Sequence, residues 1–320
     1  MEKKVSVVMC TYNGAKYIRE QLDSILNQTY PIFEIIIQDD CSTDDTVEII
    51  RGYAESNKTI KLFVNEKQKG VTLNFITALQ RASGDLIAIS DQDDIWNLEK
   101  IEKQVSYLVQ QNALLCFSLS KPFTLDSIPL NIDLRVPNYG LERLIFYPVI
   151  PGHAMLLERA VIDLLPKDFL HKRSYDGQIA ITANAYGKVV VLNEILTAHR
   201  RHLNAVSYIK PESNERSINN IIRYLTSAFK GYKNNVKRRC DYMRDVHLYL
   251  QEFPQRSSSL QDALHLSGLL SDKSFMKMIK ASCLCIKLRN KIFYAKENNG
   301  LVAVVRAALW PILCCKYYSK

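Results

Sequence analysis

The sequence predicts an open, mostly parallel α/β sheet flanked by helices, followed by a basic helical extension. Three observations carry that expectation. Short apolar, β-branched runs alternate with segments whose apolar residues recur at helical spacing, the mark of successive βα units. Three of the apolar runs empty directly into polar loops. Charge is unevenly placed: residues 214–320 hold 19 Lys and Arg against 7 Asp and Glu, a net +12, whereas residues 1–213 carry −3 of the chain total of +9. At 320 residues, 47% hydrophobic and 23% charged, the chain is ordinary for a globular protein. The composition shift places the boundary between an α/β domain, 1–213, and a helical basic region, 214–320.

The elements follow in order. Residues 5–9 form an interior parallel strand, and 17–28 form a helix with Ile18, Leu22, Ile25 and Leu26 on one face. Residues 33–37 repeat the strand. Ser42 and Asp45 then make a capping-box-like start to a helix carrying Val47, Ile50 and Tyr53. A third strand is expected over 60–64, a helix over 75–81, a strand over 86–89, a helix over 98–111 and a strand over 114–119. Residues 121–147 show no clear period and contain several prolines. Residues 179–185 read as a helix and 188–192 as a strand; beyond 217 the texture is helical and basic.

In an open α/β sheet, ligands sit beyond the carboxyl ends of the strands. That rule brings three loops to one rim: Thr11-Tyr12-Asn13-Gly14, Asp39-Asp40-Cys41-Ser42-Thr43-Asp44 and Asp91-Gln92-Asp93-Asp94-Ile95-Trp96. Carboxylates as crowded as Asp91 and Asp93 repel one another unless a cation lies between them, so they read as holders of Mg²⁺ or Mn²⁺, with room left for phosphate oxygens of a donor. A solvated turn and helix cap is the other reading.

Several classes lose their support. There is no GxGxxG or GxxxxGK[ST], so dinucleotide-binding and P-loop readings fall away. The eight cysteines lack zinc-site spacing and read as reduced thiols of a cytosolic protein, and the first residues lack the apolar stretch of a secretory signal. No recognised nucleic-acid module accompanies the basic tail.

Together the three loops resemble the family 2 glycosyltransferases, in particular their rhamnosyltransferase-like branch. The resemblance is strong over residues 1–110, patchier to Asn204 and absent beyond. It implies a GT-A fold, a nucleotide-sugar donor, a divalent metal and inversion at the anomeric carbon. In that family the acid matching Asp40 hydrogen-bonds a pyrimidine base and the region of Thr11, Tyr12 and Asn13 lines the base pocket; an Asx-turn capping the next helix is the alternative for Asp40.

The resemblance marks further residues. Pro151-Gly152-His153-Ala154-Met155-Leu156-Leu157 resembles the family's small-residue strand beside the acceptor, where Gly152 would let a sugar approach the backbone and His153 is either a site residue or a core histidine. Ser174-Tyr175-Asp176-Gly177 stands where related sequences have His-Asp-Trp-Trp, so Asp176 is the candidate general base; a helix N-cap is its other reading. Ala198-His199-Arg200-Arg201-His202-Leu203-Asn204 resembles the closing Tyr-Arg-x-His-x-x-Asn motif. Arg201 or Arg200 is thereby placed to hold a diphosphate and His202 to contact metal or phosphate, unless the stretch is a basic surface turn.

The expected activity is inverting transfer of a sugar from a dTDP- or UDP-sugar to a growing, lipid-linked surface glycan. A nucleotidyltransferase on a similar sheet and a non-catalytic nucleotide-sugar-binding protein are the rivals. The apolar run 301–315, with Trp310, Tyr317, Tyr318, Lys316 and Lys320, reads as an interfacial helix on the membrane surface; a partner-binding helix and simple packing on the catalytic domain are the alternatives.

Overall fold

A computed structural model describes residues 2–126, 128–130, 138–147, 150–169, 173–203, 218–254, 257–293 and 300–315. Its strands are β1 (Val5–Thr11), β2 (Ile32–Asp39), β3 (Ile60–Val64), β4 (Leu86–Ser90), β5 (Ile95–Trp96), β6 (Leu115–Phe123), β7 (Met155–Glu158) and β8 (Val189–Arg200). Its longer helices through residue 186 are α1 (Ile18–Leu26), α2 (Thr46–Ser56), α3 (Val71–Leu79) and α4 (Lys100–Gln110), then α7 (Tyr175–Tyr186) after the single turns α5 (Leu141–Leu144) and α6 (Ala160–Asp163). The remaining helices are α8 (Ile218–Gln251), α9 (Ser258–Leu270), α10 (Phe275–Lys287), α11 (Arg289–Ile292) and α12 (Leu301–Leu313).

The chain divides into two compact units, one of residues 1–136 with 149–211 and one of 137–148 with 212–320. The first is built on an eight-stranded sheet in the order β3-β2-β1-β4-β7-β6-β8-β5. Strands β1 to β4 are parallel, β7 runs antiparallel to both β4 and β6, and β5 pairs antiparallel with β8. Continuous burial along β1, β2 and β4 explains their unbroken apolar runs. Val5, Val7, Met9, Ile35, Ile37 and Leu86 form one core with Leu22, Ile25, Ile50 and Ile101 from the helices.

Three local expectations change. The capping box does not form: Ser42 serves Asp39, and the first turn of α2 is held by Asp44, whose carboxylate accepts from the Thr46 backbone N–H (3.1 Å) and hydroxyl. Residues 151–157 are a 3-10 turn at Gly152–Ala154 followed by β7, not a strand throughout. Strand β8 runs to Arg200 because β6 continues to pair with it as far as Phe123, and β5, too short to announce itself in sequence, pairs with its other side at Thr197 and Ala198.

At the amino-terminal edge of the sheet one buried carboxylate ties four segments. Glu34 accepts from Ser6 Oγ (2.7 Å), Lys61 Nζ (2.7 Å) and the Ser83 N–H (2.7 Å) and hydroxyl (2.8 Å). Gly84 donates to Ser6 Oγ (2.9 Å) and leaves no room there for a Cβ.

In the second unit, buried Arg239 donates to Pro311 O (2.9 Å) and Asp272 O (3.1 Å). Glu142 accepts from Ser259 Oγ (2.6 Å) and Lys291 Nζ (2.7 Å), fixing α5 to α9 and α11. Trp310, expected at a membrane surface, is in the core against Phe146 and Phe293 because α12 turns that face inward. Residues 316–320, with Lys316, Tyr317, Tyr318 and Lys320, and also Asn204, lie outside the described residues. Among the described residues no helix is long and apolar enough to cross a membrane.

Burial pushes the Glu34 carboxyl up, but the hydrogen bonds from Lys61, Ser83 and Ser6 outweigh it and hold the group at about 2 instead of 4.5. A depressed carboxyl stabilises the fold above its unfolded value, and that contribution is lost as pH falls through the folded value. Glu34→Gln should therefore cost about 2 kcal/mol at neutral pH. Urea unfolding of the two proteins should show the gap closing as pH falls from 4.5 toward 2.

Candidate active site

The carboxyl ends of β1, β2 and β4 release the three motif loops on one rim, as parallel pairing of those strands requires. The first two loops lock together. Asp39, fully buried, accepts from Thr11 Oγ1 (2.7 Å), Ser42 Oγ (2.6 Å) and Ser42 N–H (2.8 Å). Asn13 donates its N–H to Ser42 Oγ (2.8 Å) and accepts from the Thr43 N–H (2.8 Å). Asn13 (φ 48°) and Cys41 (φ 66°) take the left-handed conformation that such close docking demands. Thr11 is thus buried behind the rim, whereas the Tyr12 side chain is exposed.

Asp40 is occupied differently from the expectation of an acceptor facing a base. Its carboxylate takes the Asn65 amide (2.8 Å) and the N–H groups of Lys69 (2.7 Å) and Gly70 (2.8 Å). These fill three of the roughly four acceptor positions of a carboxylate, so Asp40 organises the 65–70 loop.

Gln92, which the sequence reading passed over, clamps the third loop to the first: its amide accepts from the Tyr12 N–H (2.9 Å) and donates to Tyr12 O (3.1 Å). The amide also occupies the space beside Gly14 where a Cβ would stand, which explains that glycine.

The acids then separate into two groups. Asp94, with no exposure, accepts from His199 Nδ1 (2.9 Å) and the Arg200 N–H (3.0 Å). His153 stacks on His199 (4.3 Å between centroids) and places Nδ1 3.2 Å from Asp91 Oδ2. Asp91, Asp94, His153 and His199 each offer a ligand atom within 4.8 Å of the others. Burial raises the Asp94 carboxyl, but His153 and His199 outweigh it and bring it below the usual range. Burial lowers His153, but Asp94 and Asp91 outweigh it and raise it. Among the described residues, Asp94 Oδ2 and His153 Nε2 find no hydrogen-bond partner.

Asp93 turns to His202 Nε2 (2.9 Å), whose ring lies on Tyr17 (4.8 Å). Burial, then Asp91 and Asp94, raise its carboxyl. The expected trio of Asp91, Asp93 and His202 is therefore divided: Asp93 and His202 meet, and Asp91 joins Asp94, buried His153 and partly buried His199. The Arg200 guanidinium is partly committed, its Nη1 finding no hydrogen-bond partner among the described residues. It donates to Asp93 O (2.8 Å) and Glu20 (2.9 Å) and lies between the rings of Tyr17 and Phe123. The Arg201 backbone N–H donates to Phe123 O (2.8 Å).

Helix α7 contributes the remaining residues. The cap position is Ser174, and Asp176 sits in the first turn, accepting from the Gly177 N–H (2.7 Å). Burial raises the Asp176 carboxyl, Asp91 adds to the rise, and Ser174 and Gly177 oppose it. Tyr175 stacks on Phe75 (4.0 Å), and its hydroxyl fills the room that Gly152 leaves. The space expected to admit a sugar at Gly152 is thus taken by a tyrosine that nothing in the spacing had marked.

Residues 6–160 match the family described as Glycosyl transferase family 2. The putative teichuronic acid biosynthesis glycosyltransferase TuaG of Bacillus subtilis is 34% identical over 133 residues, 42% of this chain and 53% of that protein. The chain thus spans about half the length of that relative. A glucosyltransferase of Escherichia coli, WfaP, named as using UDP-Glc and α-D-GlcNAc-diphosphoundecaprenol, is 30% identical over 209 residues, 63% of this chain and 79% of that one. Among solved structures, residues 1–349 of Staphylococcus aureus TarS in complex with UDP-GlcNAc superpose with a TM-score of 0.59 at 16% identity, covering 98% of this chain and 90% of that one. That likeness concerns the fold, which is GT-A.

Asp94→Ala strands the Arg200 N–H and His199 Nδ1 and removes the charge beside buried His153. It should destabilise the protein by about 3 kcal/mol, read as an earlier transition in chemical unfolding.

Proposed function

This chain belongs to glycosyl transferase family 2, and on that premise we propose that it transfers a sugar, with inversion, from a UDP- or dTDP-linked donor to a hydroxyl of a lipid-linked bacterial surface glycan. The observation that carries the proposal is the juxtaposition of Asp176 with the 91–94 acid loop: Asp176 is close enough to Asp91 to feel its charge, and the loop faces His202. A base and an acid cluster at one strand edge suit attack by a hydroxyl on a carbon that bears a diphosphate.

In this reading Asp176 takes the proton of the acceptor hydroxyl, the oxygen forms a bond to the anomeric carbon, and the carbon–oxygen bond to the diphosphate breaks on the opposite face. A carboxyl raised by burial is the stronger base for that task. Tyr12 and Asn13, backed by buried Thr11 and by the 65–70 loop that Asp40 holds, frame the base of the donor, Arg201 answers the diphosphate, and Gly152 and His153, with Tyr175 filling the room beside the glycine, border the acceptor side. The raised Asp93 carboxyl and the two partnerless atoms, Asp94 Oδ2 and His153 Nε2, fit a site that takes a cation. Asp93 and His202 would hold Mg²⁺ or Mn²⁺, and Asp91, with Asp94, His153 and His199, is the second donor group. Such an ion supplies charge neutralisation to the departing diphosphate.

The donor is left as a class. The rhamnosyltransferase-like motifs favour dTDP-rhamnose, and the name of the E. coli relative favours UDP-glucose and a diphosphoundecaprenol acceptor. We assign catalysis to residues 1–213 and membrane association at the cytoplasmic leaflet to 214–320, whose net charge is +12. Incubation with a panel of labelled nucleotide-sugars and lipid-linked acceptors tests the whole reading; no transfer from any donor overturns it.

Two sharper outcomes follow from the site. Asp176→Asn should cut turnover at least ~100-fold while donor affinity and melting temperature stay nearly unchanged; a variant that melts early yet keeps its rate per folded molecule removes Asp176 from the reaction. EDTA should abolish transfer, and Asp93→Ala should weaken Mn²⁺ binding in calorimetry; full activity in chelator refutes the cation assignment.

A further inference from the structure

The second unit exposes an apolar face on α10, a stretch whose sequence mixes apolar residues with lysines. Phe275 is 68% exposed, Met276 61% and Ile279 41%, although each is a residue that folding normally buries. They fall at i, i+1 and i+4 of α10 and so share one side of its first turns. Ala281 and Cys285, on the opposite side, are the buried positions of the same helix. Along its exposed side the helix continues with Lys280 and Lys287, and residues 275–287 contain no acid. Lys277 pairs with Asp272 (2.8 Å) just before the helix, an exposed pair that holds it only weakly.

The unit also fixes how this helix lies against α12. The Arg239 guanidinium reaches both Pro311 O, near the end of α12, and Asp272 O, just before α10. The two helices therefore run antiparallel, and the exposed start of α12, Leu301 and Val302, lies away from the Phe275 cluster. With Trp310 in the core, α12 has lost the aromatic that suited it to an interface.

We infer that the exposed face of α10 seats this protein on an anionic bilayer, with Phe275, Met276 and Ile279 entering the headgroup region and Lys280 and Lys287 meeting the lipid phosphates. The inference rests on the proposed lipid-linked acceptor. An apolar strip flanked by lysines and free of acids is complementary to a surface that is greasy and negative at once.

Vesicle flotation of the full chain at low salt tests it, using phosphatidylcholine alone or mixed with phosphatidylglycerol. The wild type should float with the mixed vesicles only. Replacing Lys280 and Lys287 by Gln should weaken partitioning roughly 25-fold, at about fivefold per residue. Phe275→Ser with Met276→Ser and Ile279→Ser should weaken it at least ~10-fold, with helix content and melting unchanged, since these side chains are exposed. Equal binding by that apolar variant overturns the inference. So does an equal loss in Leu301→Ser with Val302→Ser, which moves the contact to α12, and so does a wild-type dimer in sedimentation that the α10 variants dissociate, which makes a second copy the occupant. Transfer to a soluble acceptor analogue separates the two readings. Transfer without vesicle binding refutes this surface and leaves the transferase standing; vesicle binding through α10 without transfer from any donor does the reverse.

Discussion

The buried Asp94 carboxylate is the constraint on which the rest of the site depends. It joins the loop after β4 to the end of β8, two segments more than 100 residues apart, through His199 Nδ1 and the Arg200 N–H. Once Arg200 is fixed there, its guanidinium is committed to Asp93 O and Glu20, and the next residues carry His202 onto the Asp93 carboxylate. The same acid also lies under His153, which leans on Asp91. An ionised carboxylate without exposure is tolerated only when its charge is answered, and here two imidazoles and a backbone N–H answer it.

The two edges of the sheet use buried acids in opposite ways. At the amino edge Glu34 is given a lysine, two hydroxyls and an N–H, and its carboxyl is held low. At the carboxyl edge Asp93 and Asp176 are held above the usual carboxylate range by burial and by Asp91. Full satisfaction stabilises a fold, whereas acids left short of partners at a strand edge are in a state that a cation or a substrate proton relieves. The rim loops are rigid for a related reason: Gln92, Asp39 and Asn13 bind one loop to another, so an approaching ligand meets backbone that is already ordered.

Much of this was legible in the sequence. Interior parallel strands write themselves as unbroken apolar runs, so β1, β2, β3 and β4 were placed within a residue or two, and the strand-end rule then set Asp39, Asp40, Asp91 and Asp93 on one rim. The pairing of Asp93 with His202 joins two residues that were both singled out as metal ligands. Elements of two to four residues, such as β5 and the turn at Gly152, carry too little periodicity to be seen.

The sequence by itself determined which chemistry is present and on which edge of the sheet it stands, because local periodicity and loop position depend on neighbours along the chain. Only the tertiary structure decided which acid meets which partner. Asp40 went to the 65–70 loop, Arg200 to Glu20, Gly152 to Tyr175 and Trp310 to the core, since each of those choices is made by a segment distant in sequence competing for the same donor or the same space.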